Sequence, residues 1–413
     1  MKVRQKFDTF LTATGCVLTN SVVVKADAVT DWNAVMQATV APSNAFVQAR
    51  AAAIVQLSVY EAVNSITGQY RPYLSIIPAP PGASSEAAAV AAAHRTLVTL
   101  YPGSAAALDV AEAASLSAIP DGQAKADGVA VGELAASAIL GLRANDGSGF
   151  VVPYTPGGNP GDWQPTPPAF APALLPGWGQ VTTFGIVNGA QFRSAPPPVL
   201  GSARYARNFN EVKVVGDVNS SLRPQDRTNV ARFYIIPAVQ VYNPAARQVS
   251  VVQNKTLSQN AHDFALLAIA VCDGLISSME TKYYYNRWRP VTAIRAADTD
   301  GNPNTEPDAA WLPLITTPPF PSYPSAHASA GGAARRILER VYGKDGFLIT
   351  LTSPTAPNVT LYYTAWKQIT DDIDDARIFG GIHFRYDQEG GAQQGWNVGS
   401  YILETQLLAL SED

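Results

Sequence analysis

The sequence predicts an all-α fold: two helical halves separated by a long irregular crossover. Three observations lead there. Apolar residues recur at steps of three and four through most of the chain, alanine is abundant, and eleven of the 31 prolines fall between Val151 and Leu200. The chain has 413 residues, of which 47% are hydrophobic, enough for a sizeable core. Only 15% are charged and the formal net charge is -4, so no basic surface invites nucleic acid or an anionic membrane.

At the N-terminus, Lys2, Arg4 and Lys6 precede a modest apolar stretch from Phe10 to Val24 and then Ala26-Asp27-Ala28. This order reads as an export signal over residues 1–28, cut after Ala28, with a secreted or periplasmic product. Thr12, Thr14, Thr19, Asn20 and Ser21 weaken the apolar stretch, so a frayed tail is the alternative reading. Cleavage would remove Cys16 and leave Cys272 alone, which rules out an intramolecular disulfide. Cys272 ends an apolar run and reads as an inert buried thiol. No segment reaches about 18 uninterrupted apolar residues, so no membrane span is expected.

Residues 29–150 form the N-terminal helical half. Phe46, Ala49, Ala53, Leu57, Tyr60 and Val63 define one helix, and Ser84–Tyr101 and Gln123–Leu142 give two more. Residues 151–255 are the Pro/Gly-rich crossover, in which Trp163, Phe170 and Trp178 argue either for a loop that packs and walls a pocket or for an inert connection. Residues 256–413 form a C-terminal bundle: periodicity resumes from Ser258 to Met279, continues to Arg289, restarts at Ser325 and returns after Asp371.

Three segments of this last region carry chemistry. In Lys282-Tyr-Tyr-Tyr-Asn-Arg-Trp-Arg289-Pro290 the two cations are seven positions apart, about two helical turns, so one helix presents both from one face before Pro290 closes it. Read alone, this pair is more readily a solvated basic face. In the second segment, Pro318 to His327, prolines hold the chain extended until Ser325 starts a helix. The Ser325 hydroxyl and the Ala326 amide then lie at a helix N-terminus, where anions bind, with His327 in the first turn as an acid or base. A capping serine followed by a partly buried histidine is the bland alternative. In the third segment Arg377 and His383 would diverge on an unbroken helix, and Gly380-Gly381 permits a break that turns both to one ligand. Asp387, four residues beyond His383, is placed to hold its imidazole in one tautomer.

Together the segments read Lys-x6-Arg-Pro, Pro-Ser-x-His and Arg-x3-Gly-x-His-x3-Asp, a series that resembles the superfamily of vanadium-dependent haloperoxidases and type 2 phosphatidic acid phosphatases. The match spans Lys282 to Asp387. It implies two packed helical bundles with the site in the second. It also implies that His383 binds vanadium or attacks phosphorus, that His327 is the acid/base, and that Lys282, Arg289, Arg377, Ser325 and the Ala326 amide hold the oxyanion, Lys282 also serving catalysis. Ala326 replaces a usual glycine and Ala376 a usual serine. Phe320, seven positions before His327, matches the fungal-type chloroperoxidases and suggests a halide pocket, although core packing explains it equally.

The resemblance therefore implies halide oxidation with hydrogen peroxide at vanadate. The alternative is a secreted acid phosphatase acting on a phosphate ester through a phosphohistidine, phosphate occupying the same site. A non-catalytic helical scaffold that keeps a phosphate site is a third reading, and the two histidines speak against it. His94 and His262 read as structural, and Asp273 as a buried partner for one of the arginines.

Overall fold

The structure is a computed structural model, and it describes residues 27–75 and 77–410. Residues 1–26, which hold most of the expected export signal, lie outside the described residues. Five helices make the first half: α1 Ala28–Val40, α2 Ala45–Thr67, α3 Ser85–Leu100, α4 Ala105–Ser117 and α5 Gln123–Arg143. The sequence reading missed α1 and α4. Asp27 caps α1 through a reciprocal capping box with Thr30, and its carboxylate also accepts from Asn260. A cut after Ala28 would remove that cap, which speaks against the expected cleavage position.

Irregular chain runs from residue 144 to 202, apart from one short 3-10 turn at Trp178–Gln180. Helix returns at Ala203, well before residue 255: α6 Ala203–Val215, α7 Gln225–Phe233 and α8 Ala238–Val252 occupy the second part of the expected crossover. Then come α9 Leu257–Tyr285, α10 Pro290–Arg295, α11 Ala326–Tyr342, the strands β1 Asp345–Thr352 and β2 Thr360–Ala365, α12 Trp366–Phe379 and α13 Arg385–Thr405. The two strands form an antiparallel hairpin, an exception to the all-α expectation. Of the described residues, 57% are helical.

Helix α9 ties the halves together, packing on α2 in the first and on α11 and α13 in the second. It is long and apolar enough to cross a membrane, yet 94% of its most apolar window is buried inside the protein, which accounts for that composition. Cys272 sits within it as a buried free thiol. Helices α11 and α13 cross closely because small residues meet at the crossing: a Cβ on Gly395 would lie 1.8 Å from the Ser329 carbonyl oxygen. That approach sets the start of α11 beside the start of α13, where the Ser325 amide donates to the Asp387 carbonyl at 2.9 Å.

Asp273 makes no direct ion pair with an arginine among the described residues, although the charge of Arg143 favours its ionised form. Its carboxylate, fully buried on α9, accepts the backbone amides of Phe184, Gly185 and Ile186 at 2.8, 2.6 and 3.0 Å. The crossover is thereby fastened to the core helix, and Trp163 and Trp178 pack beneath it. Asp273→Ala would strand three buried N–H groups and is expected to lower stability by at least about 3 kcal/mol, at about 1–3 kcal/mol for each unsatisfied group. Urea unfolding measures this, and a loss under about 1 kcal/mol would show that the anchor contributes little.

Candidate oxyanion site

The three motif segments meet, though not all as the sequence suggested. Lys282 lies in the last turn of α9, but that helix ends at Tyr285, and Asn286 adopts a left-handed conformation with φ 51°. Arg289 is therefore not on the same helix. It precedes α10 in extended conformation, as the residue before a proline prefers, with Pro290 as the first helical residue. The turn at Asn286, and not a shared helical face, brings the two cations together. Trp163 of the crossover donates to the Asn286 carbonyl and supports that turn.

Ser325 caps α11 as expected: its hydroxyl accepts from the Ala328 amide at 3.3 Å, while the Ala326 amide is among the first N–H groups that a helix leaves unpaired. Arg377 falls in the last turn of α12. Gly380 caps that helix and Gly381 takes φ 77°, so the chain reverses before His383. Side chains are barred at Gly381 by space as well, since a Cβ would lie 2.4 Å from the Gly216 carbonyl oxygen.

His383 Nδ1 lies 2.8 Å from Asp387 Oδ2, an acceptor that also takes the Ser322 hydroxyl at 2.6 Å and the Phe384 amide at 3.0 Å. A carboxylate cannot donate, so Nδ1 carries the ring proton. The lone pair is left on Nε2, which faces Arg289 Nη1 at 3.0 Å. Arg289 is held by the Phe320 and Ile382 carbonyls, and Lys282 by those of Pro321 and Ser322. Arg377 donates to the Tyr234 carbonyl. The Phe320 ring lies 5.2 Å from Lys282 Nζ and 4.9 Å from Arg289 Cζ.

Lys282, Arg289 and Ser325 are fully buried and Arg377 and His383 are 3% exposed, while His327 is half-buried at the edge of the cluster. Burial and like-charged neighbours depress every base here. Burial, then Arg289, holds Lys282 well below its usual value, and burial lowers Arg289 to about 9 and Arg377 to about 10. Burial, then Arg289, Lys282 and Arg377, holds His383 well below the usual imidazole range; burial and Arg377 do the same for His327. Asp387 is pushed up to about 6 by burial against the pull of Ser322 and Lys282. Three buried cations thus converge with no carboxylate among them except the one behind His383.

Comparison with known proteins fits this arrangement. Residues 262–409 match the family described as the VCPO second helical-bundle domain. A vanadium chloroperoxidase of Curvularia inaequalis is 24% identical over 282 residues, a region covering 51% of this chain and 46% of that protein. Among solved structures, a bacterial vanadium-dependent iodoperoxidase superposes with a TM-score of 0.79 at 24% identity, covering 93% of this chain and 96% of the other. The holo form of a bacterial vanadium-dependent chloroperoxidase gives 0.71 at 17% identity, covering 87% and 91%. Residues 262–409 thus resemble the second helical-bundle domain of that family, and the fold is of the vanadium haloperoxidase type.

The residues present fit the tetrahedral oxyanion that vanadium haloperoxidases are named for. Arg289 Nη2 and Arg377 Nε are buried donors with no partner among the described residues, and buried unpaired donors are costly unless an acceptor meets them. His383 Nε2 supplies the single lone pair that a metal centre needs from the protein. If this cage takes anions, sulfate, whose charge is constant across neutral pH, should stabilise the protein by about 2.7 kcal/mol at a hundred times its Kd. The sign with pH follows from the depressed bases: an anion raises the Lys282 and His327 values, binding takes up protons, and the shift shrinks as pH rises. Thermal melting with sulfate at several pH values measures this, and a shift that grows with pH would contradict it.

Sequence reasoning named Phe320 and expected the crossover to wall a pocket, but it missed the other residues that shape the approach. A cavity of about 190 Å³ lined mainly by apolar atoms reaches Phe320, Ala326 and His327, and its other walls include Asn44 and Phe46 of the first half, Leu174 of the crossover and Pro237. Phe46 stands edge-on to Phe320 at 5.8 Å between ring centres. Ser322, which fixes Asp387, was missed too, since one serine among prolines carries no distinguishing signal. His94 and His262 lie apart: His94 contacts Asp109 and Glu112, and His262 stacks on Tyr70 and contacts Asp263.

Proposed function

We propose that this protein is a vanadium-dependent haloperoxidase that oxidises halide with hydrogen peroxide. The observation that carries the reading is His383 Nε2, held unprotonated by the Asp387 contact on Nδ1 and aimed into a cluster of three buried cations. Lys282, Arg289, Arg377, Ser325 and the Ala326 amide would hold vanadate through charge-assisted hydrogen bonds, and His383 would bind the metal. When bound, vanadate supplies a Lewis-acidic centre that activates hydrogen peroxide. The protein's part is to fix the oxyanion, exclude bulk water through burial, and pass protons at His327.

The apolar cavity favours a peroxidase over a phosphatase. A singly charged halide and an uncharged organic acceptor lose less hydration on passing Phe46, Leu174 and Phe320 than a doubly charged phosphate ester would, since Asn44 and His327 are the polar side chains of that lining. Export belongs to the same proposal, with cleavage ahead of Asp27 so that the α1 cap survives, which N-terminal mass analysis of the exported protein would show. The deciding experiment is to purify metal-free protein and assay iodide, bromide and chloride oxidation with peroxide after adding orthovanadate, beside phosphate-ester hydrolysis without it. Oxidation only on vanadate loading supports the reading. Efficient ester hydrolysis with no halide oxidation would replace it with the phosphohistidine phosphatase.

A further inference from the structure

His327 lines two cavities, one mainly apolar and one of mixed character that carries charged side chains. At about 100° per residue, Ala326 and Ala330 occupy one face of α11 and border the apolar cavity, while Gly331 and Arg335 occupy another. The ring of His327 projects between these faces and lines both spaces. Behind it lies a second cavity of about 80 Å³, bordered by Gly331, Arg335, Thr370, Asp374 and Trp396. Thr370, Asp374 and Arg377 follow at steps of four and three on α12, so one stripe of that helix runs from this cavity to the cage.

This second space is suited to water. The hydroxyl of Tyr242 is fully buried without a partner among the described residues, and it lies 2.8 Å from where a Cβ on Gly331 would stand. Burial keeps that hydroxyl protonated, so it is a neutral donor or acceptor. With His327, Arg335, Thr370 and Asp374 in its lining and the Tyr242 hydroxyl close by at Gly331, a cavity this size has room for two or three waters at about 30 Å³ each, with polar partners for each.

Proton balance gives the space a use, and this step rests on the proposed role of His327. Halide, hydrogen peroxide and one proton yield hypohalous acid and water, so each turnover must import a proton to a buried site. The apolar cavity offers only Asn44 beside His327 as a polar side chain along which a proton could pass. We propose that protons reach His327 through the polar cavity, with the Asp374 carboxyl as the relay. The carboxylic acid gives its proton through water to the imidazole, and the carboxylate regains one from solvent; nothing is oxidised or reduced in either transfer.

Asp374 makes no ion pair among the described residues, and burial pushes its carboxyl up to about 7, where it can both give and regain a proton near neutrality. Arg385 of α13 and Lys367 of α12 oppose that shift while Asp371 and Asp375 reinforce it. Arg335 faces it from α11, and the neutral Tyr242 hydroxyl from α8.

The test uses Asp374→Asn, which removes the titrating group, and Gly331→Ala, which narrows the passage, in the full-length protein. Exchange of the His327 ring proton with solvent, read by NMR on the metal-free protein, should slow at least tenfold in both. In vanadate-loaded protein kcat should fall at least tenfold near neutral pH, with the pH profile altered, Asp374→Glu restoring most of the rate, and vanadate affinity by equilibrium dialysis within twofold of wild type. Unchanged exchange overturns the route whatever the activity. Vanadate affinity that falls with kcat also overturns it, because Asp374 would then act by supporting Arg377. Wild type without peroxidase activity but with exchange that depends on Asp374 would instead sink the haloperoxidase reading and leave the route standing.

Discussion

His383→Ala is expected to abolish activity. The imidazole supplies the one protein lone pair aimed into the cage, and no nearby side chain can replace it: the Asp387 carboxylate lies behind the ring, already accepting from Ser322 and the Phe384 amide. Whether the central atom is vanadium or phosphorus, that bond is lost. The variant should still fold, because Asp387 keeps those two donors and Arg289 keeps the Phe320 and Ile382 carbonyls. Circular dichroism checks the fold and steady-state assays check the rate. Retention of a tenth of wild-type turnover corresponds to a loss of only about 1.4 kcal/mol in transition-state stabilisation, too little for a ligand to the reacting centre, and would remove His383 from that role.

The site was legible in the sequence to the extent that residue type and spacing dictate local geometry. A serine after prolines starts a helix, paired glycines break one, and an aspartate four residues past a histidine reaches its ring; Ser325, Gly381 and Asp387 do these things. The failures are of another kind. Lys282 and Arg289 were assigned one helix because periodicity continues past Tyr285, although Asn286 is a residue that favours the left-handed turn ending the helix there, a turn that the Trp163 amide also supports. The hairpin was passed over although Phe347, Ile349 and Leu351 alternate inward, since an isolated two-stranded sheet is marginal and this one relies on packing against α8. Asp273 was misread because its partners are backbone amides 87 to 89 positions away, and amides carry no sequence signature. Of the apolar approach only Phe320 and the crossover were anticipated; Phe46 and Pro237 come from separate parts of the chain, so only the fold reveals them.

His327→Ala should cost a factor of about 10² to 10⁴ in rate, the usual range for removing a positioned acid or base, while leaving the oxyanion bound. Geometry separates the two effects. His327 is not among the residues that wall off the anion in depth: its side chain is half-buried, at the boundary of both cavities, and its polar contact is a long 3.4 Å approach to the Ile236 carbonyl. Lys282, Arg289, Arg377 and the start of α11 remain to hold the charge without it. Burial and Arg377 hold the imidazole well below its usual range, so it adds little positive charge to the cage at neutral pH. Vanadate affinity should therefore stay within about threefold of wild type, a difference under 1 kcal/mol. Equilibrium dialysis with orthovanadate, run beside peroxide-dependent halide oxidation, reads both quantities on one preparation. Loss of vanadate binding together with rate would make His327 a ligand, and the roles of the two histidines would then have to be exchanged.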